Sequence, residues 1–172
     1  MTASCASQIR LLILDVDGVL TDGGLQFDTR GEEYKTFNSL DGHGIRMLLE
    51  SHIEVAIITG RESTIVSQRA GELGIRHLYQ GCRDKLVAFN ELLQETAIDA
   101  GQVAYVGDDL PDLPIMRRVG LAIAVKNAHS FVRQHCDWVT SQPGGHGAVR
   151  EVTDSILQAQ GLLDALQTRH LE

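Results

Sequence analysis

The stretch LLILDVDGVLTDGG, residues 11–24, decides the fold. Leu11 to Leu14 are apolar without interruption, the pattern of a short strand buried on both faces. The strand runs out onto two acids, Asp15 and Asp17, and then Gly18. Side chains alternate along an extended chain, so residues i and i+2 point the same way. With the extended conformation carried just past the sheet, both carboxylates enter one cleft. Two unpaired carboxylates there repel and are costly to desolvate. A divalent cation offsets that repulsion. Asp15 is then placed to attack an electrophile and Asp17 to carry a proton.

Outward from this stretch, strand and helix signals alternate. Residues 25–37 hold two short runs around Thr29-Arg30-Gly31, which predicts a β-hairpin. A helix through residues 45–49 opens near Asp41. Residues 53–58 (IEVAII) predict a second buried strand, ending at Thr59-Gly60-Arg61, and residues 63–73 a helix stopped by Gly74. Leu78-Tyr79 suits a short strand. Residues 84–96 are amphipathic, with Leu86, Val87, Phe89, Leu92 and Leu93 apolar. Residues 103–106 form a strand ending at Gly107-Asp108-Asp109. A short helix over 112–119, strands at 121–125 and Trp138-Val139, and a long helix over 147–166 complete the chain. This order predicts the α/β class: a Rossmann-like, three-layer parallel sheet with helices on both faces. Ligands bind beyond the carboxyl ends of such strands. The polar motifs Asp15/Asp17, Thr59-Gly60-Arg61 and Asp108/Asp109 all sit at those ends.

The chemistry follows from the residue types. A carboxylate attacks the phosphorus of a phosphate ester and displaces the alcohol, forming an aspartyl-phosphate, which water hydrolyses. Mg²⁺ takes oxygen ligands and keeps nucleophile and phosphate from repelling one another. Asp108, from a separate strand end, is the natural second protein ligand. Hydroxyl and backbone N–H donors at Thr59 and Gly60 suit the equatorial phosphoryl oxygens, and Lys85, at a helix N-terminus, is the candidate cation. Asp109, ahead of Leu110-Pro111, reads as a helix cap. Arg61 and Arg69 share a helix face if the helix begins by Arg61, an arginine pair suited to a substrate carboxylate.

Composition bounds the rest. The chain of 172 residues is long enough for one domain with a real core. A net charge of −8 argues against nucleic acid, which needs a basic face, but leaves room for a small anionic substrate. The polar N-terminus and the short apolar runs predict no membrane span and a cytoplasmic location. Cys5, Cys82 and Cys136 are widely spaced and odd in number, so they are expected as reduced thiols, and no Cys/His cluster has zinc spacing. The segment from about 142 (QPGGHG) is expected to be flexible.

With these motifs in place, the chain resembles the haloacid dehalogenase superfamily of phosphotransferases. DVDGVLTD (15–22), ITGR (58–61), Lys85 and GDDLPD (107–112) match its four motifs, and the likeness covers essentially the whole chain. GEEYKTFNSLDGHGIRML (31–48), EVAIITGRES (54–63), YVGDDLPDLPIM (105–116) and GGHGAVREV (144–152) point to its branch acting on 3-deoxy-D-manno-octulosonate 8-phosphate, in lipopolysaccharide precursor synthesis. The resemblance implies a capless fold with a protruding hairpin, and a single domain over 1–172. It implies Asp15 as nucleophile and Asp17 as general acid/base. It implies Mg²⁺ held by Asp15, the Asp17 main-chain carbonyl and Asp108, with Thr59 and Lys85 on the phosphoryl group. It also implies a homotetramer in which a neighbour closes each site, and the hairpin's apolar strands suit that role. His146 stands where a small residue or a cation is expected. A phospho-receiver domain shares the chemistry but orders its acids differently. A non-catalytic scaffold and a phosphatase of nine-carbon ulosonate 9-phosphates are the other readings; Arg61 favours the eight-carbon substrate.

Overall fold

The chain, described over residues 3–171 in a computed structural model, runs as follows. Helix α1 (Ala3–Ala6) precedes β1 (Leu11–Leu14), and β2 (Gln26–Phe27) and β3 (Glu33–Tyr34) form the hairpin. Then come α2 (Ser39–Glu50), β4 (Glu54–Ile58), α3 (Thr64–Leu73), β5 (His77–Tyr79), α4 (Lys85–Thr96) and β6 (Val103–Gly107). The chain finishes with α5 (Leu113–Met116), β7 (Leu121–Ala124), α6 (Ser130–Arg133), β8 (Trp138–Val139), α7 (Ala148–Ala159) and α8 (Leu163–Thr168).

Six strands make one sheet in the order β5-β4-β1-β6-β7-β8, every pair parallel. β1 and β7 are buried along their whole length, because helices cover both faces. Packing of α2 with α3 and α7, and of α4 with α5, supplies the two helical layers. From β1 the chain winds outward through β4 and β5, then returns to the other side of β1 for β6, β7 and β8. The winding thus reverses at β1, and the crevice outside that point is where such sheets bind ligands. Leu14 lies level with Ile57 on one side and Val106 on the other. The residues just beyond, from all three strands, therefore emerge at one height.

The helix boundaries follow from their caps. Asn38 accepts from the Leu40 N–H at 2.8 Å and opens α2 earlier than the Asp41 expected from sequence. Asp41 instead reaches across to the start of α7, where its Oδ1 accepts from the Arg150 N–H at 2.7 Å. Burial raises its carboxyl pKa, while the N–H groups of Arg150, Gly147 and Val149 and the nearby His146 pull it down. An acid on one helix thus caps another and complements its dipole. Val149, Val152, Ile156 and Leu157 of α7 are fully buried, as the 3.6 period requires.

In four places the structure departs from the simplest reading of the sequence. The C-terminal helix is not continuous: it breaks after Ala159, and Gly161, at φ +70°, turns the chain into α8. The helix expected over 112–119 is a 3₁₀ turn, Leu110–Asp112, followed by the short α5, because Pro111 and Pro114 each remove a donor. Val87 of α4 is 54% exposed; Ala88, Phe89 and Leu92 face inward, and Lys85 is buried with them. The segment expected to be flexible is bonded along its length. Ser141 and Gln142 donate to Glu151, Gly144 N–H donates to Asn127 Oδ1 at 2.9 Å, and Gly145 N–H donates to the Val19 carbonyl at 2.9 Å.

Asp41→Ala is expected to lower the unfolding free energy by about 1–2 kcal/mol, the worth of a lost helix cap. Urea denaturation checks it, and a midpoint equal to wild type would contradict the cap.

Candidate active site

The ends of β1, β4 and β6 line an open cleft of about 410 Å³ together with the start of α4. Asp15 continues β1: its N–H donates to the Val106 carbonyl at 3.2 Å, so its position is fixed by the sheet. Its Oδ1 accepts from the Val16 N–H at 2.7 Å, and its Oδ2 lies 2.8 Å from Lys85 Nζ. Burial raises the Asp15 pKa and Lys85 opposes that rise.

Lys85 is the first residue of α4, behind the Asp84 cap. It is 6% exposed, with Nζ 2.8 Å from Asp15 and 2.7 Å from Asp112. Burial alone would strip its charge, but the two carboxylates outweigh burial and raise its pKa. Asp112 is saturated. Its Oδ1 also accepts from the Tyr105 hydroxyl at 2.7 Å, and its Oδ2 accepts from the Asp108 and Asp109 N–H groups at 2.9 and 3.1 Å. Asp109 accepts from the Leu110 N–H, the cap expected of it.

Asp108 is pushed up to about 7, first by burial and then by Asp112, Asp15 and Asp109, with Lys85 opposing. Its carboxylate packs against Gly18. A Cβ on Gly18 would lie 2.1 Å from Asp108 Oδ2, and the backbone there has φ +92°, so only glycine lets the two loops meet. Oxygens of Asp15, Asp108 and Asp112 lie within 4.8 Å of one another. Asp112 has no lone oxygen to spare, which leaves Asp15 and Asp108. Among the described residues nothing donates to the Asp17 main-chain carbonyl. An all-oxygen donor set, with carboxylates from two strand ends, suits Mg²⁺ rather than a softer ion.

Thr59 is buried where β4 ends, its N–H donating to the Tyr79 carbonyl at 2.9 Å. Thr59, Gly60 and Arg61 all line the cleft. Arg61 precedes α3 and belongs to a closed ring of alternating charge. Its Nε is 3.5 Å from Asp17 Oδ2 and its Nη2 3.0 Å from Glu33 Oε1. Lys35 Nζ completes the ring, 2.5 Å from Asp17 Oδ1 and 3.3 Å from Glu33 Oε1. The Ser63 hydroxyl donates to Glu33 Oε2 at 2.7 Å, and this bond, ahead of the Arg61 and Lys35 partners, lowers the Glu33 pKa.

The structure brings together Asp15, Asp17, Thr59, Gly60, Arg61, Lys85 and Asp108. It does not bring Arg69. Since α3 begins at Thr64, Arg61 lies outside the helix and the two arginines share no face. Arg69 instead pairs with Glu72 at 3.3 Å, and its guanidinium sits 5.9 Å from the centre of the Phe37 ring. His146 is beside Asp41 rather than in the cleft. The sequence reading missed Glu33, Lys35, Arg83 and Asp112. Glu33 and Lys35, two apart in a predicted strand, carried the same i, i+2 signal as Asp15 and Asp17. Arg83 lines the cleft and forms no ion pair among the described residues.

Comparison with known proteins finds close relatives over nearly the whole chain. The profile of the haloacid dehalogenase-like hydrolases matches residues 78–152. The chain is 57% identical over 159 residues to 3-deoxy-D-manno-octulosonate 8-phosphate phosphatase KdsC of Escherichia coli (strain K12), covering 92% of this chain and 85% of that protein. The crystal structure of the phosphatase of that name from Yersinia pestis superposes with a TM-score of 0.93 at 53% identity, over 94% of this chain and 88% of that one. That from Moraxella catarrhalis, in complex with magnesium ion, phosphate ion and KDO, superposes with a TM-score of 0.95 at 44% identity, over 98% and 97%.

Mg²⁺ is expected to raise the melting temperature; ligand at a hundredfold its dissociation constant is worth about 2.7 kcal/mol. Gly18→Ala and Asp108→Ala should abolish most of that rise in differential scanning fluorimetry. An undiminished rise in Asp108→Ala would place the ion elsewhere.

Proposed function

We propose an activity on the premise of kinship: the chain belongs to the haloacid dehalogenase-like hydrolases, in the family of 3-deoxy-D-manno-octulosonate 8-phosphate phosphatases, and it hydrolyses that sugar-acid phosphate to the free acid and phosphate. The reaction serves lipopolysaccharide precursor synthesis, in the cytoplasm. The observation that carries the reading is the placement of Asp15 where the sheet's winding reverses, its carboxylate 2.8 Å from Lys85 and with Asp17 and Asp108 in the same cleft.

The residues divide the work as follows. Asp15 attacks phosphorus and forms the aspartyl-phosphate while Asp17 gives its proton to the departing sugar oxygen. Asp17 then takes a proton from the water that hydrolyses the intermediate. Lys85, Thr59 and the Gly60 backbone bind the phosphoryl oxygens. Asp15, Asp108 and the Asp17 carbonyl would hold Mg²⁺, which supplies charge neutralisation for phosphoryl transfer when bound. Arg61 takes the substrate carboxylate, and to do so exchanges it for Glu33. Arg69 has no part in the cleft of its own chain.

The cleft is open, and the hairpin above it carries half-exposed Leu25, Phe27 and Tyr34. A two-stranded hairpin with such a face is covered when copies pair. The assembly we propose is a homotetramer in which a neighbour closes each site. No helix among the described residues is long and apolar enough to cross a membrane.

Phosphate release over a panel of sugar phosphates tests the activity. Wild type is expected to prefer the eight-carbon sugar acid and to stop in excess chelator. Asp15→Asn should be inactive, and Arg61→Ala should lose far more on the sugar acid than on a small phosphate ester. Full turnover by Asp15→Asn would exclude the covalent route. For the assembly, sedimentation should show a tetramer that Phe27→Ser with Tyr34→Ser dissociates, with loss of activity. A fully active wild-type monomer at assay concentration would refute it.

A further inference from the structure

The ring of four charges ties the hairpin to Asp17, and its two cations differ sharply in their surroundings. The Lys35 side chain is 2% exposed and does not line the cleft; the Arg61 side chain is 43% exposed and does. A buried ammonium is costly unless carboxylates partner it, and those available to Lys35 are Asp17 and Glu33. Strand alternation places it: Glu33 and Lys35 point inward from the hairpin while Tyr34, between them, is half exposed. The two Asp17 oxygens are therefore unequal. Oδ1 is taken by the Lys35 ammonium. Oδ2 is buried and has no hydrogen-bond partner among the described residues; beside it lies the Arg61 guanidinium, at a distance too long for a good bond.

We propose that Lys35 is a positioning residue for proton transfer: its buried ammonium fixes Asp17 through Oδ1 and leaves Oδ2, on the side of the movable Arg61, as the oxygen that carries the proton. This rests on the reading of Asp17 as the proton carrier. In the first step the Oδ2 proton passes to the bridging ester oxygen, which keeps the electron pair of the P–O bond as that bond breaks. In the second, a water oxygen bonds to phosphorus and its proton goes to Oδ2. The Asp15 oxygen leaves with the pair of its own P–O bond. Lys35 gains and loses no proton in either step. Without it, Arg61 would be the one cation of the ring left to Asp17 and Glu33. The Asp17 carboxylate would then swing toward the guanidinium, and Oδ2, now only at ion-pair distance, would be spent on a hydrogen bond to it. A misplacement of about 1 Å at a reacting group costs up to about 10²-fold in rate.

The test compares Lys35→Met, Lys35→Arg and Asp17→Asn with wild type. On the sugar-acid phosphate, Lys35→Met is expected to lose about 10- to 100-fold in kcat with KM little changed, and Lys35→Arg to recover most of it. On p-nitrophenyl phosphate, whose leaving group needs no proton, Lys35→Met should keep the first-turnover burst of nitrophenol. Its later turnover should be slow, because hydrolysis of the intermediate still needs Asp17. Wild-type kcat in Lys35→Met beside an inactive Asp17→Asn would overturn the proposal alone. Wild-type turnover by Asp17→Asn would overturn it together with the reading of Asp17. Loss of the burst, or loss of activity that tracks dissociation of the assembly in sedimentation, would reduce Lys35 to a structural role and overturn it as well. Where Met is not tolerated by circular dichroism, Lys35→Gln carries the same comparison.

Discussion

The Lys85 ammonium, held between Asp15 and Asp112, is the interaction on which the rest of the site depends. Five aspartates line the cleft, and their mutual repulsion in a half-buried space would open it without a fixed cation among them. Lys85 answers two of them directly. Asp112 then spends its remaining capacity on Tyr105 and on the backbone of the Asp108 loop. A charge from α4 is thereby passed, through a saturated carboxylate, into the orientation of a loop after β6. The same arrangement leaves Asp108 without an ion-pair partner of its own among the described residues, and burial with its acidic neighbours pushes its carboxyl up.

This economy depends on sheet topology. The reversal of winding at β1 places β4 and β6 on either side of it, so three strand ends from distant parts of the chain open at one level. The strands need only be apolar and short. The chemistry begins with the residue that follows each one: Asp15, Thr59, Asp108. Gly18 lets the first loop close onto the third. The hairpin is a different device. It adds nothing to the sheet, yet it delivers two charged side chains beneath and three apolar ones outside.

Most of this was legible in the residues because the signals were local. A run of four apolar residues ending in D-x-D-G states both the strand and its chemical end. Asp84 and Gly74 mark helix ends by their own side-chain or backbone chemistry. What escaped was non-local. Nothing near Asp41 in sequence says that it caps a helix beginning more than a hundred residues later. Asp112 looked like one more acid in a rich motif, and its saturation by Lys85, Tyr105 and two N–H groups is a property of the fold. Arg69 failed for a smaller reason: one turn's difference in where α3 begins moves an arginine from a shared face to another side. The long C-terminal helix failed because Gly161, inside the expected span, takes a positive φ that no helix continues through.

The bond from the Gly145 N–H to the Val19 carbonyl, and the capping of α7 by Asp41, set an order of events during synthesis. The ribosome makes the acid loop near the start of the chain and the segment that backs it near the end. β1 needs β4 and β6 before it is central, and the loop after it needs residues 144–145 before it is supported from behind. A nascent chain thus carries its reactive carboxylates for most of translation without the framework that holds them. The part of the molecule made first is completed last, and a chain stalled or clipped before residue 144 would hold all four of its sequence motifs and lack the segment that backs the first of them.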